Sequence, residues 1–196
     1  AGQQSANLGS TGIIGFASVS PGALTFSAQQ LASSSAGKVI TVTNTGTNTL
    51  SFTGVGIADG ASDFAQSNNC ASVPVDGTCT ITVSFTPTAT GARTGTLSLT
   101  HNGGGIANVS LTGTGQAASV TLSAPVFPAT AINGTTTATA TLTNTGVGTV
   151  AVTVPTSTAV TGPGTDFACV STTCTGSLSA SGTCTVTVRF QGAPCV

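Results

Sequence analysis

Apolar and polar residues alternate strictly along two similar runs of the chain, CTITVSF at residues 79–85 and CTVTVRF at residues 184–190. Side chains point to opposite faces at successive positions of a β-strand. Each run therefore predicts a strand with one buried face, and Arg189 falls on the polar face of the second. The predicted inward residues are Cys79, Ile81, Val83 and Phe85 in the first run and Cys184, Val186, Val188 and Phe190 in the second.

The two runs belong to a longer internal repeat. Asn44-Thr45-Gly46 recurs at Asn144-Thr145-Gly146, and Cys79 recurs at Cys184, so the offset grows only from 100 to 105 residues. The Asn-Thr-Gly motif predicts a tight turn with positive φ at or near the glycine. No window combines good helix formers with a period of 3.6 residues, so no helix is predicted.

The repeat length of about 95 residues and the frequent turn signals are typical of an immunoglobulin-like sandwich. We predict an all-β protein with two tandem immunoglobulin-like β-sandwiches, the second lacking its C-terminal strands. The predicted boundaries are an N-terminal strand at residues 1–18, a first sandwich at 19–115 and an incomplete sandwich at 116–196.

The first unit combines Asn-Thr-Gly, Asp-Phe, a cysteine and then GTCTITVSFTP. In this pattern it resembles the bacterial choice-of-anchor D repeats, which are similar to abnormal-spindle, hydin and major-sperm-protein modules. The resemblance covers nearly all of the first unit and the first two thirds of the second. It implies a seven-stranded sandwich, found in tandem on exported proteins and generally without catalysis.

The second unit has no counterpart of the hairpin at residues 86–115, in which four apolar side chains should face the core. These side chains are Leu97, Leu99, Val109 and Leu111. Burying four such side chains contributes roughly 6 to 12 kcal/mol, which is comparable with the stability of a whole domain, about 5 to 15 kcal/mol. The second unit should therefore need another strand.

The N-terminal residues match the missing strand. ANLGSTG at residues 6–12 aligns with ANVSLTG at 107–113, at a constant offset of 101. Leu8, Ile14 and Phe16 share the inward parity, and Ile13 lies beside them in the predicted donor-strand interface. The acceptor groove is predicted at Val186, Val188 and Phe190. This hypothesis of donor-strand complementation predicts a homopolymer, a head-to-tail filament whose only partner is the chain itself.

The alternative is a fragment of a tandem-repeat cell-surface or adhesion protein, because a cut array shows the same phase relation between its ends.

The amino-acid composition supports export for both functions. Only 4% of the residues are charged, which leaves no electrostatic footprint for nucleic acid or an anionic membrane. No signal peptide or membrane span is present, and a start at AGQQ is what signal cleavage would leave. We expect a secreted, extracellular protein located in a cell-surface filament.

Six cysteines with one histidine favour disulfides over a metal or redox site. Repeat equivalence selects Cys70–Cys79 and Cys174–Cys184 among 15 connectivities, and it leaves Cys169 to pair with Cys195.

No catalytic residue, metal site or cofactor is predicted. His101 is expected in a solvated turn, and the four Asp residues lie in turn contexts, where Asp63 and Asp166 should hold loop backbone. A calcium site at Asp59 and Asp63 would have few ligands. Asn108 and Asn133 begin sequons whose use depends on the host, so glycans and a host surface stay open as partners.

Overall fold

The computed structural model describes residues 15–153 and 166–192. Every regular element in these residues is a β-strand, which confirms the predicted all-β class. The first ten strands are β1 (Ala17–Ser20), β2 (Ala23–Thr25), β3 (Gln29–Gln30), β4 (Lys38–Asn44), β5 (Leu50–Asp59), β6 (Phe64–Asn68), β7 (Ser72–Val73), β8 (Thr78–Phe85), β9 (Gly91–His101) and β10 (Ile106–Gln116). The last six are β11 (Val120–Leu122), β12 (Thr135–Asn144), β13 (Val150–Thr153), β14 (Phe167–Thr172), β15 (Thr175–Leu178) and β16 (Thr183–Gln191).

Strands β1 to β10 form a sandwich of two sheets. One sheet has the order β1-β4-β8-β6, and the other has the order β2-β10-β9-β5-β7 with β3 paired to β10. Most of the pairs are antiparallel, but β2 and β3 run parallel to β10. Seven strands are four residues or longer, so the seven strands that the resemblance implies are present together with three short ones.

Sixteen buried apolar residues form the core of this sandwich in the part of the chain that the structure describes. The predicted inward residues Ile81, Val83 and Phe85 are 0% exposed. The four side chains of the C-terminal hairpin, Leu97, Leu99, Val109 and Leu111, are also 0% exposed. Strands β9 and β10 therefore close the core of the first sandwich, as the alternation of the sequence predicts.

A second compact unit is built mainly from residues 115–192. It repeats the first sheet as β11-β12-β16-β14, but its other sheet contains only β13 and β15. Its described residues include no counterpart of β2, β3, β9 or β10. The buried residues of its apolar cluster are Val152, Cys174 and Cys184.

Two details differ from the sequence-based expectations. Strand β1 begins at Ala17, within the segment assigned to the N-terminal strand, because Ala17 and Ser18 pair with Asn44 and Thr43 of β4. Neither glycine of the Asn-Thr-Gly motifs has positive φ, since Asn44 and Asn144 close these turns by accepting hydrogen bonds from the glycine amides with Oδ1, at 3.0 Å. Positive φ does occur near the second motif, as expected, at Gly148, two residues after its glycine.

No helix in the described ranges has the length and apolar character of a membrane span.

Candidate interaction site in the second sandwich

The inner face of β16 is only half buried, although it carries the same sequence pattern as β8. Val186, Val188 and Phe190 correspond to Ile81, Val83 and Phe85, and each of them keeps part of its surface exposed, whereas the β8 residues are 0% exposed. Strand β16 pairs with β12 from Thr135↔Gln191 to Thr143↔Thr183, so the sheet that supports this face is formed. The two units differ in the opposite sheet, which covers this face in the first unit and contains only β13 and β15 among the described residues of the second. The predicted acceptor residues thus lie together on one partly exposed apolar surface.

Three phenylalanines form a cluster at one end of each sandwich. In the first unit the ring centroids of Phe64 and Phe85 are 4.9 Å apart, and Phe26 lies 5.9 Å from Phe64 and 5.7 Å from Phe85. The members of this first triad are 3%, 3% and 0% exposed in the order Phe26, Phe64 and Phe85. Aromatic pairs at such separations are mutually stabilising.

The second triad has the same internal arrangement. The centroids of Phe167 and Phe190 are 5.0 Å apart, and Phe127 lies 5.5 Å from Phe167 and 6.0 Å from Phe190. Phe167 is 38% exposed, and Phe127 and Phe190 are partly exposed. The second triad is therefore assembled but uncovered.

Strands β9 and β10 cover the first triad with glycine backbone. A methyl group placed on Gly113 of β10 would lie 2.6 Å from Cε1 of Phe85, and one placed on Gly95 of β9 would lie 2.8 Å from Cδ2 of Phe64. Contacts this close leave no room for a side chain at either position. The described residues of the second unit contain no strand in either place.

The missing strands also leave unpaired backbone. In the first unit β5 pairs with β7 and with β9, on opposite edges. In the second unit β13 pairs with β15 alone among the described residues. Strand β2 pairs with β10, and its counterpart at residues 124–126 forms no strand. An unpaired row of backbone amides and carbonyls is a template for another strand.

Comparisons with known proteins agree with this architecture. The family described as HYDIN/CFA65/VesB-like, Ig-like domain matches residues 19–116, which are 98 of the 196 residues. The chain belongs to this family. The match covers the first sandwich and confirms the resemblance to hydin-type Ig-like modules.

Several solved structures are similar to this Ig-like chain. A crystal structure of a protein of unknown function from Porphyromonas gingivalis W83 has a TM-score of 0.44 at 14% identity and covers 89% of this chain and 83% of its own. The ASH/PapD-like domain 7 of human CEP192 has a TM-score of 0.41 at 16% identity, with coverage of 53% and 87%. The secreted serine protease VesC from Vibrio cholerae has a TM-score of 0.37 at 10% identity, with coverage of 86% and 45%. No curated protein sequence matches the chain.

Both disulfides predicted from the repeat are present in the Ig-like units. Cys70–Cys79 and Cys174–Cys184 have Cα–Cα distances of 5.2 and 5.0 Å. Cys169 forms no disulfide within the described residues, and Cys195 lies outside them, so the Cys169–Cys195 bridge stays a prediction. Disulfides are typical of proteins that fold in an oxidising compartment.

The predicted donor residues fall mostly outside the described structure. Leu8, Ile13 and Ile14 lie in residues 1–14, which are not described. Phe16 is 58% exposed, and its carbonyl accepts a hydrogen bond from the amide of Thr45 at 2.9 Å. The described segment therefore leaves the first sandwich with an exposed phenylalanine at its start.

An ion pair of the first Ig-like unit has no equivalent among the described residues of the second unit. Asp63 is 3% exposed, and one of its oxygens accepts hydrogen bonds from Nε and Nη2 of Arg93 at 2.8 and 2.6 Å. The other oxygen accepts from the amide and hydroxyl of Thr88, both at 2.7 Å. Burial raises the pKa of Asp63, but the hydrogen bonds from Thr88 and Arg93 outweigh it and hold the pKa below its usual value.

Asp166 occupies the position equivalent to Asp63, just before the phenylalanine of its own triad, and its carbonyl accepts a hydrogen bond from the amide of Gln191 at 2.8 Å. It makes no ion pair with any residue in the described ranges. The side chain of Asp63 holds loop backbone, as expected, through the amide of Thr88. The Asp166 contact is made by its main-chain carbonyl, so the role predicted for its side chain stays a prediction. The pairing of Asp63 with Arg93 is an addition that the sequence does not predict. Because both oxygens of Asp63 are engaged by protein donors, this carboxylate is not a free calcium ligand.

The buried asparagines are a second feature that sequence reasoning missed. Asn44 and Asn144 are 0% exposed. Nδ2 of Asn44 donates to the carbonyls of Asn48 and Val73, and Nδ2 of Asn144 donates to those of Gly148, Leu178 and Ser179. The recurrence of Asn-Thr-Gly was visible in the sequence, and a fully buried, fully bonded amide explains why the residue is asparagine in both copies.

The remaining candidate residues have structural roles. His101 is half buried, with Phe52 at a centroid distance of 6.1 Å, and its Nδ1 accepts a hydrogen bond from the amide of Gly103 at 3.1 Å. It is thus partly packed at the β9 end of the hairpin, and the rest of its surface is exposed to solvent, as expected. Within the described ranges, no three residues among His, Cys, Asp and Glu lie close enough to hold a metal ion.

Proposed function

We propose that this chain is a structural subunit of an extracellular filament, in which the segment at residues 1–14 of one copy completes the second sandwich of the next. The observation that carries the proposal is the partly exposed face of β16. Its three apolar side chains correspond to residues that are 0% exposed in the first sandwich. A supporting sheet, an assembled triad and an edge of β13 that pairs with no other described strand together form a site that fits an incoming apolar strand.

The sequence supports the N-terminal segment of a second copy as the occupant. Residues 6–12 match residues 107–113 of β10 at a constant offset, and β10 is one of the two strands that cover the first triad. The segment contains no charged residue, so no charge would be buried by insertion. Head-to-tail insertion does not close on itself and so generates a filament.

Two general properties support assembly outside the cell. The disulfides favour an oxidising compartment, and the formal net charge of −1 on 196 residues provides little repulsion between subunits. The sequence contains one histidine, four aspartates and no glutamate or tyrosine, so it offers few side chains for acid–base catalysis, and a structural role fits this composition better.

The competing function is a segment of a tandem-repeat surface or adhesion protein. The constant offset between residues 6–12 and β10 is what a preceding repeat would produce. In that case the second sandwich would be completed by residues of its own polypeptide, not by another copy. The two functions differ in whether the 196-residue chain polymerises through its N-terminal segment.

The experiment uses three chains, each purified with its disulfides oxidised: the intact chain, a chain lacking residues 1–14, and the acceptor variant Val188→Asp. The intact chain should form filaments, measured by sedimentation and electron microscopy. The shortened chain keeps all of β1, so its first sandwich should stay folded while filaments are abolished. Val188→Asp buries an unpaired carboxylate in the acceptor face and should also abolish them.

Mixing provides the sharper test. The shortened chain retains an acceptor and Val188→Asp retains a donor, so each should cap one end of growing filaments and shorten them in proportion to its amount. Arg189→Asp, on the outward face of β16, is the matched control and should leave filament length unchanged. An intact chain that stays monomeric, or a shortened chain that polymerises normally, would favour the tandem-repeat alternative.

A further inference from the structure

In the first sandwich, β10 crosses the phenylalanine triad at a position that only glycine can occupy. A methyl group on Gly113 would lie 2.6 Å from Cε1 and 2.7 Å from Cζ of Phe85. The ring cannot move aside easily, because Phe85 is 0% exposed and packs against Phe26 and Phe64. A side chain here would overpack the core.

The same ring position exists in the second sandwich, where Phe190 stands in the place of Phe85. Its centroid distances to Phe127 and Phe167 are 6.0 and 5.0 Å, against 5.7 and 4.9 Å for Phe85 in the first triad. A strand that covers the second triad as β10 covers the first must therefore also present a glycine to the ring of Phe190.

The N-terminal segment carries that glycine in register. At the offset of 101 residues, Gly12 aligns with Gly113 and Leu8 aligns with Val109. The neighbouring positions of the same parity are Ser10 and Ile14, which both carry a Cβ. A slip of two residues would place one of them against the ring, and a slip of one residue would turn the apolar positions to the opposite face.

We infer that Gly12 fixes the register of the donor strand by passing over the ring of Phe190 in a second copy of this chain. This inference rests on the proposed donor-strand function. The inference adds a sequence requirement to that function. The acceptor groove selects a strand with a glycine four residues after a leucine, not apolar strands in general. The complementarity is steric, between a ring that fills the groove and a residue with no side chain.

The test compares the addition of one methyl group at Gly12 with the truncation of the neighbouring Thr11 side chain, each in the full-length chain. Gly12→Ala should raise the critical concentration for filament formation about tenfold, since overpacking by one methyl group is commonly that costly. Thr11→Ala changes the opposite face, equivalent to the exposed Thr112 of β10, and should change it less than about twofold. A Phe190→Ala background should abolish the penalty of Gly12→Ala, because the ring that excludes the methyl group is gone. If Phe190→Ala does not fold, Phe190→Leu provides the same comparison with more volume retained.

The outcomes separate this inference from the proposed function. If the intact chain forms no filaments, the proposed function fails and the role of Gly12 fails with it. If filaments form and Gly12→Ala behaves like Thr11→Ala, the donor-strand function stands and the register role is wrong. A penalty at Gly12 that persists in the Phe190→Ala background would place the clash elsewhere and would also overturn the inference.

Discussion

The two phenylalanine triads have nearly the same geometry and very different surroundings. Their shortest centroid distances are 4.9 and 5.0 Å, yet Phe64 is 3% exposed and its counterpart Phe167 is 38% exposed. The geometry is therefore set by elements present in both units: the strand pairs β6–β8 and β14–β16, and the segment before β4 or β12. Burial is set by β9 and β10, which only the first unit contains among the described residues.

This difference separates two contributions to the stability of a β-sandwich that usually occur together: positioning of a core face and its burial. One sheet and its disulfide can position the residues of a core face, while the opposite sheet removes that face from water. Most of the hydrophobic stabilisation comes from the second step, because it scales with the apolar area that is covered. In its described residues, the second unit has the core face in position but lacks most of the opposite sheet that would cover it.

The disulfides should show the largest difference between the units. Each closes a short loop, with sequence separations of 9 and 10 residues, and should contribute about 2 to 3 kcal/mol. The first unit keeps the rest of its sixteen buried apolar residues when its bridge is removed. In the second unit, Cys174 and Cys184 are two of the three buried residues of the apolar cluster.

We therefore expect Cys174→Ala/Cys184→Ala to unfold the second unit of the isolated chain, and Cys70→Ala/Cys79→Ala to leave the first unit folded but less stable. Hydrogen exchange followed by mass spectrometry resolves the two units, and the loss of protection should be confined to the unit that carries the substitutions. Equal effects in both units would mean that the second core is covered in solution. That result in a monomeric chain would argue against an open acceptor.

A smaller effect of the same kind should distinguish Phe85 from Phe190. Phe85→Ala should destabilise the first unit by about 3 to 5 kcal/mol, as for other fully buried phenylalanines. Phe190→Ala should cost about 1 to 2 kcal/mol in the monomer, because part of the ring is already in contact with water. Urea unfolding monitored by hydrogen exchange gives both values. In assembled filaments the cost of Phe190→Ala should approach that of Phe85→Ala, and no increase on assembly would contradict coverage of the triad.

The alternation of the sequence predicted the framework strands and most of the first core. Ile81, Val83, Leu97 and Leu111 were assigned inward from parity alone, and all are 0% exposed. Period-two patterns are this informative because one face of each strand must be buried. Repeat equivalence supplied the two disulfides in the same way, since each copy constrains the other.

Features that depend on contacts across the sandwich were not predicted. Asp63 and Arg93 are thirty residues apart, and each lies in a segment that looks like an ordinary turn or an outward strand position. The parallel pairing of β2 with β10 joins residues such as Leu24 and Leu111, and no local signal marks it. The glycine of β10 that faces Phe85 could be understood only once the ring was placed beneath it.

The smallest of the expected differences concerns pH. Hydrogen bonds from Thr88 and Arg93 outweigh the effect of burial and hold the pKa of Asp63 below its ordinary value of 3.8. A group whose pKa is lower in the folded state stabilises that state above the unfolded pKa, and the stabilisation is lost as the pH falls through the folded value. The contribution of Asp63 to the stability of the first unit should therefore be constant at pH values well above 3.8. It should be lost progressively as the pH falls below 3.8.

Asp63→Asn should lower stability at neutral pH and flatten the acid dependence, because the ion pair with Arg93 is absent at every pH. Asp59→Asn is the matched control, since Asp59 forms no ion pair with the described residues, and it should leave the acid dependence of the first unit unchanged. Thermal unfolding by calorimetry between neutral pH and about pH 2 measures the slope. An acid dependence that survives Asp63→Asn would show that another carboxyl group is responsible. The ion pair with Arg93 would then have no consequence for the stability of the first unit.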